Sequence, residues 1–401
     1  MYKKILAALD GSYWSNLAIQ ATLELAQINQ EVKLIGCHVY AAELHRTRFE
    51  EMEPGLPEQY QEEEKLSGLR ETHEDLITDG LALISDSYLA PLVKQAKERG
   101  FSVSGLTPEG HNYVRLLDQI REQKPDLTIL GAQGHGFVPE SRIGSLTERV
   151  LLAHHKSDML IMRQPLAFKG KPIVVGIDGS QASYAALQRA IEIGKLFDAK
   201  IEALAIYDPF FHVSVFRVIA DALPESDQER FNFPAQEKLH DEIIDKGLEK
   251  LYRDGLERAG LLAEQQGVYI KMEVLAGKVY PQLHHYSQMK NAGLIVMGKY
   301  GLHHEPQSLI GSNTHQLSRL CDTNLLVVQS PQSPIEIPEL VEETNDSEIT
   351  WAAEAEQRMK RIPAFARKMA RRSIESRARE QGRTVIDEDF VALIAAKMGR
   401  G

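Results

Sequence analysis

The stretch Gly131-Ala132-Gln133-Gly134, followed after nine residues by Gly144-Ser145, occurs in two versions in this 401-residue chain. Gly298-Lys299-Tyr300-Gly301, nine residues and Gly311-Ser312 repeat it, displaced by 167 positions (298 − 131, and again 311 − 144). Self-similarity at a fixed period reports a duplicated structural unit. Glycines ahead of a helix let backbone amides approach an anion with no Cβ in the way, and the helix N-terminus adds the positive end of its dipole. The duplicated feature therefore reads as an anion site of nucleotide size.

Upstream of each copy lies a matching strand and turn. Lys4 to Leu9 is an apolar run ending in Asp10-Gly11-Ser12, and Pro172 to Ile177 ends in Asp178-Gly179-Ser180, displaced by 168 (178 − 10). Apolar residues at helical spacing follow the first turn: Leu17, Ala21, Leu25 and Ile28. Short apolar runs then alternate with helical segments. Strands are predicted at 32–39, 101–106, 127–131 and 159–162, and again at 200–206, 268–275, 294–297 and 325–328. Such alternation specifies βαβ crossovers and a parallel sheet covered on both faces. The predicted fold class is α/β: two doubly wound five-stranded parallel-sheet domains, residues 1–165 and 170–330, with a small C-terminal helical module. The acidic stretch 41–68 holds Pro54, Pro57 and Glu62-Glu63-Glu64 and reads as a loop or partly ordered insertion. A long helix stopped by Gly100 follows it, and the second copy carries a long loop and helix over about 208–266.

Beyond residue 330 the composition changes. Pro331, Pro334 and Pro338 stop regular structure, and residues 336–356 hold eight acidic and no basic side chains, so 331–356 reads as an acidic linker. Arg358 to Arg383 then carries ten Lys or Arg against Glu375 and Glu380. Met359, Ile362, Ala366, Met369 and Ser373 form one helical stripe, with Pro363 in a first turn and Gly382 at a C-terminal stop. Asp387 is placed as the N-cap of a last helix, with Ile386 and Val391 as its hydrophobic staple. Residues 357–401 are thus a basic helical module of two or three helices, its charge shielded by its own acidic linker.

A formal charge of −11 argues against a nucleic-acid partner. Cys37 and Cys321 lie in or beside apolar runs without metal-ligand spacing, which fits buried thiols. No leader precedes the first strand and no apolar run approaches membrane-spanning length, so a cytoplasmic protein is expected.

In a doubly wound sheet, ligands bind outside the carboxyl ends of the strands, where the strand order reverses. If strands one and four are neighbours there, the Asp-Gly-Ser turn and the glycine motif line one crevice. Asp10 and Asp178 would accept from a ribose hydroxyl or a base, or help hold Mg²⁺. Ser145 and Ser312 would cap their helices or donate to phosphate. No Gly-x4-Gly-Lys-Ser/Thr and no Gly-x-Gly-x-x-Gly occurs, which excludes P-loop and dinucleotide fingerprints. Cys37 lies in an apolar strand with no base indicated and reads as core. His154-His155 and His284-His285 read as structural or surface residues.

These residues resemble the ATP signature Gly-x2-Gly-x9-Gly-Ser/Thr of the universal stress protein family. Gly131, Gly134, Gly144 and Ser145 match it without gaps, as do Gly298, Gly301, Gly311 and Ser312, and the strand-one aspartates match at Asp10 and Asp178. The resemblance covers about 1–330. It implies strand order 3-2-1-4-5, ATP in the crevice, adenine packed on Val39 and Ile206, and pairing of halves or of copies through strand five, a homodimer included. The adjacent Gly11, Ser12, Gly179 and Ser180 join the expected binding set. Arg142 in the first nine-residue loop would reach phosphate. The second loop has instead His303 and His304, read as solvated rather than as metal ligands, so unequal sites are expected.

The tail sequence Ile362-Pro363-Ala364-Phe365-Ala366-Arg367-Lys368, with Glu375, Ala378-Arg379 and Gly382, resembles the C-terminal module of the light-independent protochlorophyllide reductase B subunit over roughly 351–399. Only a helical fold is implied, since the reductase's iron–sulfur ligands are missing from this chain. Three functions remain open on sequence: an ATP-binding stress or signalling regulator with a protein partner, a slow Mg-dependent ATPase or autokinase, and an adaptor working through the basic module.

Overall fold

The computed structural model describes residues 2–60, 63–153, 155–209, 218–219, 222–224, 245–305, 307–340 and 350–360, and in the tail 362, 367, 370–371, 374–375, 377–378, 383 and 385–398. The first half contributes β1 (Lys4–Ala8), β2 (Lys33–Cys37), β3 (Ser102–Leu106), β4 (Leu127–Gly131) and β5 (Asp158–Met162). The second contributes β6 (Ile173–Gly176), β7 (Ile201–Tyr207), β8 (Ile270–Ala276), β9 (Leu294–Gly298) and β10 (Leu325–Val328). They form one sheet of ten strands in the order β3-β2-β1-β4-β5-β10-β9-β6-β7-β8. Each half therefore has strand order 3-2-1-4-5, and within each half the pairs are parallel.

The halves meet through their fifth strands, which run antiparallel with Met159 opposite Val327 and Ile161 opposite Leu325. This is the relation a local two-fold axis imposes. Glu148 and His315, one repeat apart (315 − 148 = 167), face each other across that axis at 3.0 Å. The central strands are apolar on both faces, as buried parallel strands must be, while the edge strands β3 and β8 are partly exposed. Ile5, Leu160 and Leu326 belong to the core on one face; Leu6, Ile161 and Leu325 belong to the core on the other. Both cores run through both halves.

Polar contacts lock the seam. Buried Asp158 accepts from the Tyr2 hydroxyl (3.1 Å), Arg189 Nε (3.1 Å) and the Gln329 amide (2.8 Å). Asn324 Oδ1 accepts from the amides of Arg163 and Gln164.

The helices are α1 (Tyr13–Leu25), α2 (Ala42–Met52), α3 (Glu63–Glu98), α4 (Asn112–Gln123), α5 (Ser145–Leu152), α6 (Gln181–Phe197), α7 (Asp245–Gln265), α8 (Val279–Met289), α9 (Ser312–Leu320), α10 (Ala353–Lys360) and α11 (Glu388–Met398). Three expectations need correction. The stretch 41–68 is mostly helical: α2, two 3-10 turns and the start of α3. Phe49, Leu56, Tyr60, Leu69 and Leu76 gather there around an apolar hollow, and Arg70 donates to both carboxylate oxygens of Glu53 at 2.6 and 2.7 Å. Those contacts outweigh the acidic, proline-containing composition. Ser145 and Ser312 do not cap their helices, because Gly144 and Gly311 hold the N-cap positions without a side-chain bond. By length and composition alone, Lys65–Glu98 would reach across a bilayer, contrary to the expectation of no such run. Leu89, Leu92 and Ala96 bind its last turns to the core instead.

After β10 the chain crosses to the start of α6. Gln181 brackets Ile335, accepting from its amide (2.6 Å) and donating to its carbonyl (3.2 Å). The C-terminal module has its own small core, in which Ala355, Met359, Ile386, Phe390, Val391 and Ile394 are buried. Asp387 caps α11 through the Phe390 amide (2.8 Å). Arg371 pairs with Glu356 and Glu375, Arg358 with Glu388, and Arg377 with Glu264 of α7, so the basic face is met partly by nearby acids and partly by the second half. Ala366, Met369 and Ser373, together with Pro363 and Gly382, lie outside the described residues, as does most of 208–244.

Candidate functional site

The first crevice opens where β1 and β4 end side by side. At the end of β1, the Leu9 amide still bonds Cys37 O (2.8 Å), and the chain then turns through Gly11 at φ +76°, a conformation glycine adopts without strain. Asp10 Oδ1 accepts from the Ser12 amide (3.0 Å), and Ser12 Oγ caps α1 through the Ser15 amide (3.2 Å). This Asx turn followed by a serine cap fixes the Asp10 carboxylate at the helix entrance. Its second oxygen, Oδ2, lies against Gly134, so tightly that a Cβ there would overlap it.

The glycines of the motif play distinct parts. A Cβ on Gly131 would stand 2.6 Å from Trp14 Cβ, so this glycine lets α1 close on β4. Gly134 makes room for the Asp10 carboxylate. The Gly144 amide donates to Ala132 O (2.7 Å), folding the nine-residue loop back so that α5 starts at the crevice floor. Exposed Ser145 and the first amides of α5 then border the opening. The crevice encloses about 660 Å³ and is bordered by Asp10, His38, Val39, Tyr88, Gly134 and Ser145, among others. Arg142 does not border it: its guanidinium pairs with Asp322 of the other half at 2.9 Å.

The second half repeats the frame with different partners. Asp178 Oδ1 accepts from the amide (3.0 Å) and hydroxyl (2.6 Å) of Ser180, and Oδ2 accepts from the Leu302 amide (2.9 Å). Both oxygens of this carboxylate are thus engaged by the protein. Gly179 takes φ +86°, Gly298 packs against Ala182, a Cβ on Gly301 would come 2.7 Å from Asp178 Oδ2, and the Gly311 amide donates to Lys299 O (2.8 Å). Ile206 is fully buried, whereas Val39 is half-buried. Lys299, inside the second motif, reaches across to the first half. Its Nζ donates to Ala153 O at 2.8 Å, beyond the last turn of α5, and burial lowers its pKa to about 8. His303 and His304 are exposed, and the His304 ring lies 3.9 Å from that of Tyr300. Among the described residues, no group of three or more His, Cys, Asp or Glu is placed to hold a metal. Burial raises the Cys37 thiol to about 12, which keeps it out of nucleophilic chemistry.

The family model described as the universal stress protein family matches residues 1–163 and again 170–329. The chain belongs to the universal stress protein family. Universal stress protein MJ0531 of Methanocaldococcus jannaschii is 30% identical over 162 residues, 40% of this chain and 84% of that protein. The crystal structure of a universal stress protein from Archaeoglobus fulgidus superposes at a TM-score of 0.53 with 13% identity, over 82% of this chain and 99% of that one. A universal stress protein family protein from Arabidopsis thaliana, solved with AMP bound, aligns with 40% of this chain and 90% of its own at a TM-score of 0.25 and 15% identity. The model of the proto-chlorophyllide reductase 57 kD subunit matches residues 351–393, the C-terminal module alone.

Two features of these stress-protein halves escape the glycine spacing. Thr147 Oγ1 donates to Gly131 O (2.8 Å) and Thr314 Oγ1 to Gly298 O (2.9 Å), tying each α5-type helix to the end of its fourth strand. The signal was present as Gly-Ser-x-Thr in both copies. Tyr88 reaches the first crevice from α3, and its ring lies on Gly11, where a Cβ would come within 2.8 Å of Cζ. Nothing in the local sequence marks that long-range approach.

Proposed function

We propose that this universal stress protein binds an adenine nucleotide, ATP in the first instance, in the crevice of its first half, and acts as a nucleotide-dependent regulator. The observation that carries this reading is the state of Asp10. One carboxylate oxygen is fixed by the Ser12 amide, and the other borders an open crevice of about 660 Å³. An aspartate so held suits a ribose or base donor. The residues present fit the ligand: Gly134 leaves the cradle open, and the first amides of α5 with the Ser145 hydroxyl suit phosphate.

No lysine or arginine borders this crevice among the described residues. The phosphates would rest on backbone amides and on Mg²⁺ carried in with them. Phosphoryl transfer usually relies on a cation clamp and a base positioned at the γ-phosphate. The lack of such a cation clamp among the described residues favours sensing over turnover, and a slow ATPase is the second reading. The output is assigned to a protein partner met at the C-terminal module, whose Arg377 pairs with Glu264 of the second half at 3.5 Å.

Equilibrium dialysis with labelled ATP tests the reading. The wild type is expected to bind, Asp10→Ala to lose about tenfold or more in affinity, and Asp178→Ala to bind like the wild type. No binding by the wild type, or undiminished binding by Asp10→Ala, overturns it.

A further inference from the structure

His38, just beyond β2, carries a feature that the glycine motif does not explain. Its Nδ1 lies 2.7 Å from the Leu9 carbonyl oxygen. A carbonyl oxygen only accepts, so Nδ1 bears the proton and neutral His38 keeps an unshared pair on Nε2. That nitrogen has no hydrogen-bond partner among the described residues. The ring is half-buried, borders the first crevice, and meets the Tyr88 ring edge-on at a centroid distance of 5.0 Å. The tautomer and the ring plane are thus both fixed by the protein. Burial also holds His38 below its usual pKa and keeps it neutral; the titratable groups facing it are Asp10 and His135. His135 is fixed in the same manner, its Nε2 lying 2.6 Å from Asp10 O.

An imidazole locked this way offers an acceptor on the border of the crevice, beside the position expected for the base, Val39 being the next residue. We propose that His38 reads the six-position of the purine, its Nε2 accepting a hydrogen bond from the 6-amino group of adenine and disfavouring 6-oxo purines. A 6-oxo group would place one acceptor against another and leave both unpaired. This rests on the reading of the first crevice as the nucleotide site. The second half lacks the device. One repeat on, Ala205 stands in place of His38 (205 − 38 = 167) and Gly255 in place of Tyr88 (255 − 88 = 167). The repeat registers there because the Cys37 and Leu204 carbonyls both accept from the residue after strand one.

The test compares ATP with inosine triphosphate, which differs at position six, by titration calorimetry of the full chain. Wild type is expected to favour ATP by about tenfold or more. His38→Phe keeps a ring beside Tyr88 but removes the acceptor, and should bring the two affinities within about twofold. Should that variant fail to fold, purine riboside triphosphate, with hydrogen at position six, is expected to bind wild type with an affinity between the other two. Equal affinities for ATP and inosine triphosphate in the wild type, or an unchanged ratio in His38→Phe, overturn the proposal while leaving the nucleotide reading intact. Binding of neither nucleotide overturns both.

Discussion

Gly131 separates two meanings of a glycine in a binding motif. If it served ligand approach, Gly131→Ala would weaken binding and spare the fold. The geometry assigns it to packing. The added Cβ would stand 2.6 Å from Trp14 Cβ, 2.9 Å from Gln133 O and 3.0 Å from the Trp14 carbonyl carbon. Comfortable carbon contacts lie at about 3.5–4.0 Å, so α1 and β4 must part by roughly 1 Å. None of the three atoms ends a flexible side chain that could swing aside. Overpacking costs about 1–3 kcal/mol, and contacts this close place Gly131→Ala near about 3 kcal/mol. Because the two halves share both cores, that lowers the melting temperature of the joined unit by about 4 °C. Gly136→Ala is the control: nothing lies within 4 Å of its added Cβ, and it should stay within about 0.5 kcal/mol of wild type. Differential scanning calorimetry reads both. A Gly131→Ala protein that melts within about 1 °C of wild type but loses ATP affinity would refute the packing assignment.

Other outcomes follow from the seam and the buried groups. Asp158→Ala leaves the Tyr2 hydroxyl and the Gln329 amide without their acceptor and Arg189 with Glu192 alone, and should cost about 2–3 kcal/mol in urea unfolding; a loss under about 1 kcal/mol would count against the seam as described. His155 is held from the usual 6.5 down to about 4, first by burial and then by the charge of Lys299. A base with a lowered folded pKa leaves the native state short of protons relative to the unfolded chain between those values. Its stabilising contribution is complete above pH 6.5 and is lost as pH falls towards 4, a swing of up to about 3 kcal/mol. His155→Gln should flatten this part of the stability–pH curve, and an unchanged curve would contradict the assignment. Buried Cys37 should resist iodoacetamide at pH 8 in the native protein and react only on unfolding, and rapid native alkylation would be the opposing result.

Much of the fold was written in local pattern. Every strand of the ten-stranded sheet lies within two residues of its apolar run, most of them because strands buried on both faces have few other sequences available, whereas the short pair Thr350–Trp351 and Val385–Ile386 in the C-terminal module had no such run to mark it. Asp387 capped its helix as its position before Phe390 required. Long-range facts were hidden. Arg142 looked free for phosphate, yet it pairs with Asp322, far along the chain in the other half. Gly131 and Gly134 look alike in the motif, but one accommodates a helix and the other a carboxylate. Asp10 and Asp178 share one local sequence. Their difference comes from a backbone amide, that of Leu302, which no side-chain pattern reports. The charge of 41–68 concealed the apolar contacts between α2 and α3 because those residues are spread over nearly thirty positions.

The central claim is that the duplicated frame yields one working nucleotide site, in the first half. Counting ATP bound per chain at saturation, by calorimetry on protein freed of nucleotide, tests it most directly. The account predicts one equivalent, abolished by Asp10→Ala and retained by Asp178→Ala. Two equivalents, none, or one equivalent that disappears with Asp178→Ala would contradict it.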